Sequence, residues 1–228
     1  RLREANEALE NFVNIASHDL RSPTATIENF ANLLLGELRL DSSPSLRVPI
    51  EQIINLTQRM QSLIEALQGY ARAKNQTIML QDTPLEECVQ HATQQLQSTL
   101  EESGAQLTVH PLPLVRCEAI FITEVFQNIL GNAIKYNESK PPIIEIQAQE
   151  QGEAWLITVS DNGIGISPEY AEVIFKPFKR LQGSGQYRGS GLGLAFCNEI
   201  IRQHGGRIWV EHNENGGSRF CLTLSAGG

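Results

Sequence analysis

Apolar residues in the first third of the chain recur with the spacing of a coiled-coil helix. Positions 9, 13, 16, 20, 23, 27, 30 and 34 step alternately by four and three residues, which is a heptad seam. A second seam of the same period runs through positions 50, 53, 57, 60, 64, 67 and 71. The loop-forming run Asp41–Ser45 lies between them. The pattern therefore predicts two antiparallel helices that form a hairpin.

A two-helix hairpin cannot bury two broad apolar stripes by itself. Pairing of two copies into a four-helix bundle buries both stripes. The alternative is a monomeric hairpin that packs against a second domain. We expect residues 1–75 to form a homodimer through such a bundle.

After residue 75 the pattern changes to short strands and helices. This change predicts an α+β chain, with a helical hairpin over 1–75 followed by a two-layer α/β sandwich over 76–228. The expected elements are a helix from Thr83-Pro84 to Gly104, a strand over 105–110, a helix over about 118–136, strands over 143–149 and 155–160, a helix opened by Gly191 and ended by Gly205-Gly206, and a hairpin of 207–212 and 218–224 around Asn215-Gly216.

Charge narrows the choice of ligand. The net charge is −8, which argues against nucleic acid or anionic lipid as the main partner. Residues 1–75 carry 8 basic and 9 acidic side chains, whereas residues 76–228 carry 10 and 17. Within this acidic half, positions 176–190 hold four basic residues and no acidic one. This cationic segment predicts a small anionic ligand.

The cysteines, the length of the apolar runs and the start of the chain bear on the cellular compartment. The four cysteines, at positions 88, 117, 197 and 221, show no metal-ligand spacing. They are predicted to be reduced and mostly buried, which favours the cytoplasm. No apolar run is long enough to cross a bilayer. The charged start without an initiator Met predicts a fragment whose upstream part is missing; membrane attachment of the full protein stays open.

His18 is the first candidate for chemistry. It lies about 200° from the neighbouring seam positions around the helix, so it faces solvent. Asp19 is adjacent, Ser22 follows one turn later on the same face, and Pro23 predicts a bend beside the histidine. A neutral imidazole held by a carboxylate can act as a nucleophile. A surface histidine with an acidic neighbour is the alternative.

The predicted helix over 118–136 carries a second set of polar side chains. Asn128 and Asn132 are one turn apart, and Lys135 follows on nearly the same face. Two carboxamides and a lysine can hold Mg²⁺ and phosphate oxygens. An exposed polar face opposite a core stripe is the alternative.

Two glycine-containing stretches complete the candidates. Asp161-Asn-Gly-Ile-Gly165 follows a strand and reads either as a turn or as a carboxylate that accepts a hydrogen bond from an exocyclic amine. Gly189-Ser-Gly-Leu-Gly-Leu194 precedes a helix, where backbone amides can bind phosphate. It matches neither a P-loop nor a dinucleotide-binding fingerprint. The basic, glycine-rich residues between these stretches are either a plain loop or a lid that closes on a triphosphate.

Taken together, five motifs resemble those of the sensor histidine kinases of two-component systems. The H box corresponds to Ser17–Pro23, the N box to Asn128–Tyr136 and the G1 box to Asp161–Gly165. The F box corresponds to Phe175–Phe178 and the G2 box to Gly189–Leu194. Their order and spacing also match over nearly the whole chain. Phe178-Lys-Arg-Leu181 and Gly205-Gly-Arg-Ile-Trp209 are similar to kinases attached to phytochrome-like photoreceptors.

The resemblance implies a dimeric phosphotransfer hairpin and an ATPase domain of the Hsp90, gyrase and MutL type. It implies that ATP phosphorylates His18 and that the phosphoryl group passes to an aspartate of a response-regulator receiver domain. Asp19 would orient or deprotonate His18, and Ser22 stands where Thr or Asn more often removes the phosphoryl group from the partner. The implied ATP-site residues are Asn128 and Asn132 (also for Mg²⁺), Lys135, Tyr136, Asp161, Gly163, Gly165, Phe178, Arg188, Gly189, Gly191, Gly193, Leu194 and Ser218.

Two other functions stay open on the residues alone. One is a dimeric scaffold with a degenerate nucleotide site, and the other is an Hsp90-like or MutL-like ATPase that uses water as the phosphoryl acceptor. Intact Asn128, Asp161, Gly191 and His18 argue against the scaffold, and the H box in a heptad hairpin argues against the water-using ATPase. Arg188 in the cationic segment is a candidate for stabilising the transferred charge.

Overall fold

The structure is a computed structural model that describes residues 24–34, 44–75, 78–139, 141–179, 191–213 and 216–228. The chain divides into two compact units, the first ending at Arg72 and the second beginning at Ala73. Among the described residues, no helix combines the length and the apolarity that crossing a bilayer requires.

The first unit contains the predicted helices. Residues 24–34 form α1, and Pro44–Asn75 form α2. Helix α2 begins inside the run that was expected to be a loop, because proline is well tolerated in the first turn of a helix. The side chain of Gln58 donates a hydrogen bond to Glu28 (3.0 Å). This bond joins α2 to α1, as a hairpin requires.

The described parts of the two heptad seams are buried to different extents. In α1, the seam positions Ile27, Phe30 and Leu34 are exposed, and the buried residues Thr24 and Ala31 each follow a seam position by one residue. In α2, the exposed seam positions are Ile53 and Met60, and the buried ones are Ile50, Thr57, Ile64 and Ala71. The described part of the hairpin therefore leaves the α1 seam and part of the α2 seam exposed.

The second unit is a sheet covered by helices, as expected. Five strands are hydrogen-bonded in the order β2-β4-β5-β7-β6. Strand β2 runs parallel to β4, and the other neighbours are antiparallel. The strands are β2 (Gln106–Val109), β4 (Ile143–Gln151), β5 (Ala154–Asp161), β6 (Ile208–His212) and β7 (Ser218–Ser225). Strands β6 and β7 form the predicted closing hairpin.

Four α-helices accompany this sheet within the described residues. They are α3 (Leu85–Gln95), α4 (Gln97–Ser103), α5 (Ala119–Lys135) and α6 (Gly193–Gln203). Helix α5 packs on β5, α6 on β6 and β7, and α3 on α5. The rings of Phe121 and Phe196 meet at 6.5 Å between centroids, which joins α5 to α6. The four cysteines are buried and free, as the sequence predicts.

Three details of the elements differ from the expectation. The helix expected between Thr83-Pro84 and Gly104 has Pro84 as its N-cap and Gly104 as its C-cap, but it breaks at Leu96 into α3 and α4. Helix α3 buries Leu85, Cys88, Val89 and Ala92, whereas α4 buries none of its residues. The residues before α3 form β1 (Gln81–Pro84), which pairs with β3 (Leu114–Cys117), and neither strand was expected. Helix α6 begins at Gly193 rather than Gly191.

One buried histidine ties two helices together. His204 follows α6, where its Nδ1 lies 2.8 Å from the carbonyl of Ile200, and its Nε2 accepts a hydrogen bond from the amide of Glu118 (3.0 Å). Nδ1 therefore carries the proton, and the ring is neutral. Burial lowers the pKa of His204 below its ordinary value, although the Ile200 carbonyl and the Glu118 carboxylate oppose this shift.

Candidate functional site

The Asp161 carboxylate lies at the end of β5, in the middle of the sheet. It is 6% exposed. Its Oδ1 accepts hydrogen bonds from the amides of Gly163 (2.8 Å) and Ser218 (3.2 Å). Burial raises the pKa of Asp161, and the two amide bonds oppose that rise. Both bonds use the same oxygen, so Oδ2 is the oxygen that they leave for a ligand.

The turn between β6 and β7 supports this aspartate from behind. The side chain of Asn213 donates a hydrogen bond to the Asp161 carbonyl (2.9 Å). Gly217 has a φ of +84°, and a Cβ at this position would collide with the same carbonyl. Only glycine permits both this conformation and this approach. The sequence motifs gave no signal for Asn213.

The glycines after Asp161 bring β5 against the end of α5. A Cβ on Gly163 would lie 2.5 Å from the carbonyl oxygen of Tyr136. That carbonyl accepts a hydrogen bond from the amide of Ile164 (3.0 Å). Gly165 has a φ of +74°, and its Cβ would lie 3.1 Å from the carbonyl of Gly217. The motif is therefore a packed junction between three segments rather than a free turn.

Helix α5 carries the predicted amide side chains. The side-chain nitrogen of Asn128 donates to the carbonyl of Glu124 in the same helix (2.9 Å), and its Oδ1 faces Gly193 so closely that a Cβ there would collide with it. Asn132 is half-buried one turn later. The ammonium group of Lys135 lies 4.8 Å from the centre of the Tyr136 ring. The Asn128 oxygen thus points to the start of α6.

The start of α6 is joined to the F box. The amide of Phe178 donates to the carbonyl of Gly191 (2.9 Å). Phe178 adopts a φ of +61° and is exposed, while Gly191 has a φ of +71°. A Cβ on Gly191 would lie 2.9 Å from the carbonyl of Lys179. A positive φ in a bulky residue is strained, so the contact with Gly191 holds Phe178 in an unfavourable conformation.

Most of the predicted nucleotide residues can be placed. Asp161, Gly163 and Ser218 share one hydrogen-bonded cluster, and Asn128 meets Gly193. Leu194 lies half-buried in the first turn of α6. Five predicted residues lie outside the described residues: His18, Asp19, Ser22, Arg188 and Gly189.

A second group of polar side chains lies where α5 gives way to β4. The side chain of Asn162 bonds to Asn137 (2.7 Å) and to the amide of Ile143 (2.8 Å). Asn162 falls inside a motif, but the sequence suggested only a turn. Asn137 lies directly after the N box, and nothing in the sequence singled it out.

The arrangement fits a nucleotide whose base carries an exocyclic amine and whose sugar carries a polyphosphate. A buried carboxylate with one available oxygen can accept a hydrogen bond from an exocyclic amine. Amide oxygens are suitable ligands for Mg²⁺, and the Asn128 oxygen faces the amino-terminal end of α6, where phosphate is favoured. The types of ligand atom and their placement therefore suit both the nucleotide and Mg²⁺.

Comparison with protein families divides the chain in a similar way. Residues 8–76 match the His Kinase A (phospho-acceptor) domain. Residues 117–228 match the histidine kinase-, DNA gyrase B- and HSP90-like ATPase.

A curated relative and two solved structures match nearly the whole chain. The phytochrome-like protein Cph1 of Synechocystis is 38% identical over 99% of this chain. The chain spans 30% of the length of that relative. Full-length ShkA in complex with AMPPNP matches 95% of this chain and 46% of its own, with a TM-score of 0.72 and 21% identity. ThkA in complex with the response regulator TrrA matches 99% and 64%, with a TM-score of 0.67 and 23% identity.

Proposed function

The chain belongs to the sensor histidine kinases of two-component systems, and we propose that it is a protein-histidine kinase that phosphorylates its own His18. The phosphoryl group then passes to an aspartate of a response-regulator receiver domain. The placement of the Asp161 carboxylate and the Asn128 amide within one domain carries this proposal. Such a site recognises the base at one end and the phosphates at the other.

The predicted site residues of the ATPase domain each have a part in holding ATP. Asp161 accepts a hydrogen bond from the adenine amino group, and Ser218 lies behind the base with Tyr136 beside it. Gly163 and Gly165 let the backbone approach the base. Lys135 and the amides around Gly189, Gly191, Gly193 and Leu194 contact phosphate. Phe178 anchors one end of a lid over the triphosphate, and Arg188 stabilises the transferred charge.

Asn128 and Asn132 are the residues proposed to hold Mg²⁺. Bound there, the ion would neutralise charge on the phosphate oxygens. The protein's own contribution is to fix the amide oxygens on one helical face. The hydrogen bond from Asn128 to the Glu124 carbonyl does this, because it turns the oxygen towards α6.

His18 is the proposed acceptor in the hairpin of residues 1–75, and the ATPase domain occupies residues 76–228. A ring nitrogen of His18 attacks the γ-phosphorus, the bond to the bridging oxygen breaks, and ADP leaves with that electron pair. Asp19 holds or accepts the proton of the imidazole. The transfer is driven mainly by positioning and charge stabilisation. Ser22 is the proposed participant in removing the phosphoryl group from the receiver aspartate.

Several features support the partners. The exposed seam residues of α1 and α2 favour a homodimer through residues 1–75. A response regulator is the expected partner, since the ThkA structure holds one. We also propose a cytoplasmic location, which the four buried free cysteines favour. We propose an upstream sensor domain as well, since this chain spans only 30% of the length of its relative Cph1.

Labelling with γ-labelled ATP and Mg²⁺ tests the activity directly. We expect a phosphoryl bond that is acid-labile and base-stable, as a phosphohistidine is. The label should be lost in His18→Ala and in Asn128→Ala. A base-labile or acid-stable label, or label that survives His18→Ala, would contradict the proposal. ATP binding without turnover would favour a scaffold, and steady hydrolysis without phosphoprotein would favour a water-using ATPase.

A further inference from the structure

Asn162, the residue between Asp161 and Gly163, uses its side chain in an unexpected direction. Its Oδ1 accepts hydrogen bonds from the side chain of Asn137 (2.7 Å) and from the amide of Ile143 (2.8 Å). Its Nδ2 donates to the carbonyl of Pro141 (3.3 Å). A turn-forming asparagine normally bonds to the backbone two residues further along. Here every side-chain bond goes to residues 137–143, which run from the end of α5 to the first residue of β4.

The main chain of Asn162 is held by the same segment. Its amide donates to the carbonyl of Ile143 (3.3 Å), and its carbonyl accepts from the hydroxyl of Ser139 (3.1 Å). Asn137 in turn accepts a hydrogen bond from the Ser139 amide (2.8 Å). We call Asn137, Ser139, Pro141, Ile143 and Asn162 the amide latch. All four polar groups of Asn162 therefore bond to the chain that leaves α5.

The latch lies between the two halves of the proposed nucleotide site. Helix α5 carries the Asn128 and Asn132 amides and ends at Lys135, while the Asp161 carboxylate ends β5. On one side of this junction, the Ile164 amide bonds to the Tyr136 carbonyl. On the other side, Asn162 holds the residues that follow Tyr136. The bond from Ile164 to Tyr136 and the bonds of Asn162 therefore together set the distance between the base-binding carboxylate and the phosphate-binding amides.

We propose that Asn162 is a positioning residue of the nucleotide site, which fixes the end of β5 against the end of α5 without touching the nucleotide. This inference rests on the proposed function. Removing the latch leaves the side chains of Asp161, Asn128 and Asn132 chemically unchanged but lets the two halves of the site move apart. Binding energy is then spent on restoring their spacing.

Nucleotide binding to the whole chain tests the inference. We expect Asn162→Ala to weaken Mg-ADP about tenfold in calorimetry, the scale of one or two lost hydrogen bonds. The KM for ATP should rise by a similar factor, with kcat at saturating ATP changed less than about twofold. Asn137 acts through the same Asn162 oxygen. The double variant Asn137→Ala/Asn162→Ala should therefore bind Mg-ADP no more weakly than Asn162→Ala alone.

Two variants separate positioning from simple loss of stability. Ile157→Val removes one buried methylene group from β5 and should lower Tm without changing the Kd for Mg-ADP. Asn198→Ala, at an exposed position of α6, should change neither quantity. A Kd for Asn162→Ala equal to that of the unaltered chain, or an equal loss in Ile157→Val at the same Tm, would overturn the inference.

The proposed function fails in a different way. If the unaltered chain neither binds Mg-ADP nor labels on His18, the function and the positioning role both fall. If the unaltered chain binds and labels while Asn162→Ala matches it in Kd and KM, only the positioning role falls. Additive losses in the double variant would show that Asn137 and Asn162 act separately, which also contradicts the latch.

Discussion

The hairpin leaves Ile27, Phe30 and Ile53 open to solvent, whereas the sandwich encloses Ile146 and Ile157 completely. Both regions have the apolar periodicity of a packed structure, yet only the sandwich covers its core within one chain. Large apolar residues that repeat along one helical face and stay exposed usually mark an interface. The difference supports the proposed homodimer, in which the ATPase domain is complete in one copy and a second copy completes the hairpin.

The largest effect should come from placing a charge on the exposed seam. Phe30 is 63% exposed in α1, and Ile120 is 69% exposed in α5. If Phe30 is buried in a dimer, Phe30→Glu removes two phenyl groups from the interface, about 3–6 kcal/mol in all. We expect the dimer Kd to rise by at least about 100-fold. Sedimentation equilibrium measures this shift.

Ile120→Glu is the matched control for that experiment. It places the same charge on an equally exposed helical position outside the seam, so the dimer should persist. If both variants stay dimeric, the seam is not the interface. If the unaltered chain is monomeric at all concentrations tested, the four-helix bundle is wrong.

The second prediction compares two isoleucines by truncation. Ile146→Ala in the sandwich leaves a cavity and should cost about 2–5 kcal/mol of unfolding free energy at any protein concentration. Ile53→Ala in the hairpin should cost less at high concentration, and its cost should depend on protein concentration, since folding there is coupled to association. Urea unfolding at two concentrations, followed by circular dichroism, separates the two cases. Equal losses of unfolding free energy in the two variants, independent of protein concentration, would contradict the difference proposed between sandwich and hairpin.

The sequence predicted both regions, but to different depths. In the hairpin, the heptad period located α1 and α2. It placed Ile27 and Phe30 on the seam, but the buried residues of α1 are Thr24 and Ala31, each one position after a seam residue. Which helix positions are buried depends on what packs against the helix. The heptad spacing of apolar residues does not say which element that is.

In the sandwich, long elements were predictable and short ones were not. The pattern located α5, β4, β5 and the β6–β7 hairpin to within a few residues. Strands β1 and β3 have only four residues each and contain Pro84 and Arg116. Their pairing depends on contacts between distant segments rather than on local alternation.

The site shows the same limit. Asp161 and Asn128 stood out because they belong to motifs with known spacing. Asn213 bonds to a carbonyl 52 residues away, and nothing in its neighbourhood announces such a bond. Asn162 was visible, but its partners lie in a loop whose course only the folded chain defines. Supporting residues of this kind depend on tertiary geometry, so local pattern cannot identify them.

The third prediction concerns pH and the sandwich alone. His204 is buried and neutral with a lowered pKa, so the unfolded chain binds a proton there more readily than the folded chain. Its contribution to stability is present above the unfolded pKa of about 6.5 and is lost as pH falls below it. The change in unfolding free energy that His204 causes should not exceed about 1.4 kcal/mol per pH unit. Urea unfolding between pH 7.5 and 5 measures it.

His204→Gln is the matched variant for this measurement. Gln cannot titrate, so this variant should be less stable at pH 7.5 but should lack the His204 part of this pH dependence. The difference in unfolding free energy between the two proteins should therefore shrink as the pH falls. A constant difference across the range would show that His204 does not titrate on unfolding.

The smallest effect should mark where the sandwich begins. The carboxylate of Glu118 accepts a hydrogen bond from the amide of Met79 (2.9 Å), two residues before β1. An exposed bond of this kind contributes about 1 kcal/mol, so Glu118→Ala should speed hydrogen exchange at the Met79 amide about fivefold. Exchange at core amides of α5 should be unchanged. If Met79 exchanges equally fast in both proteins, the ordered edge of the sandwich lies at β1.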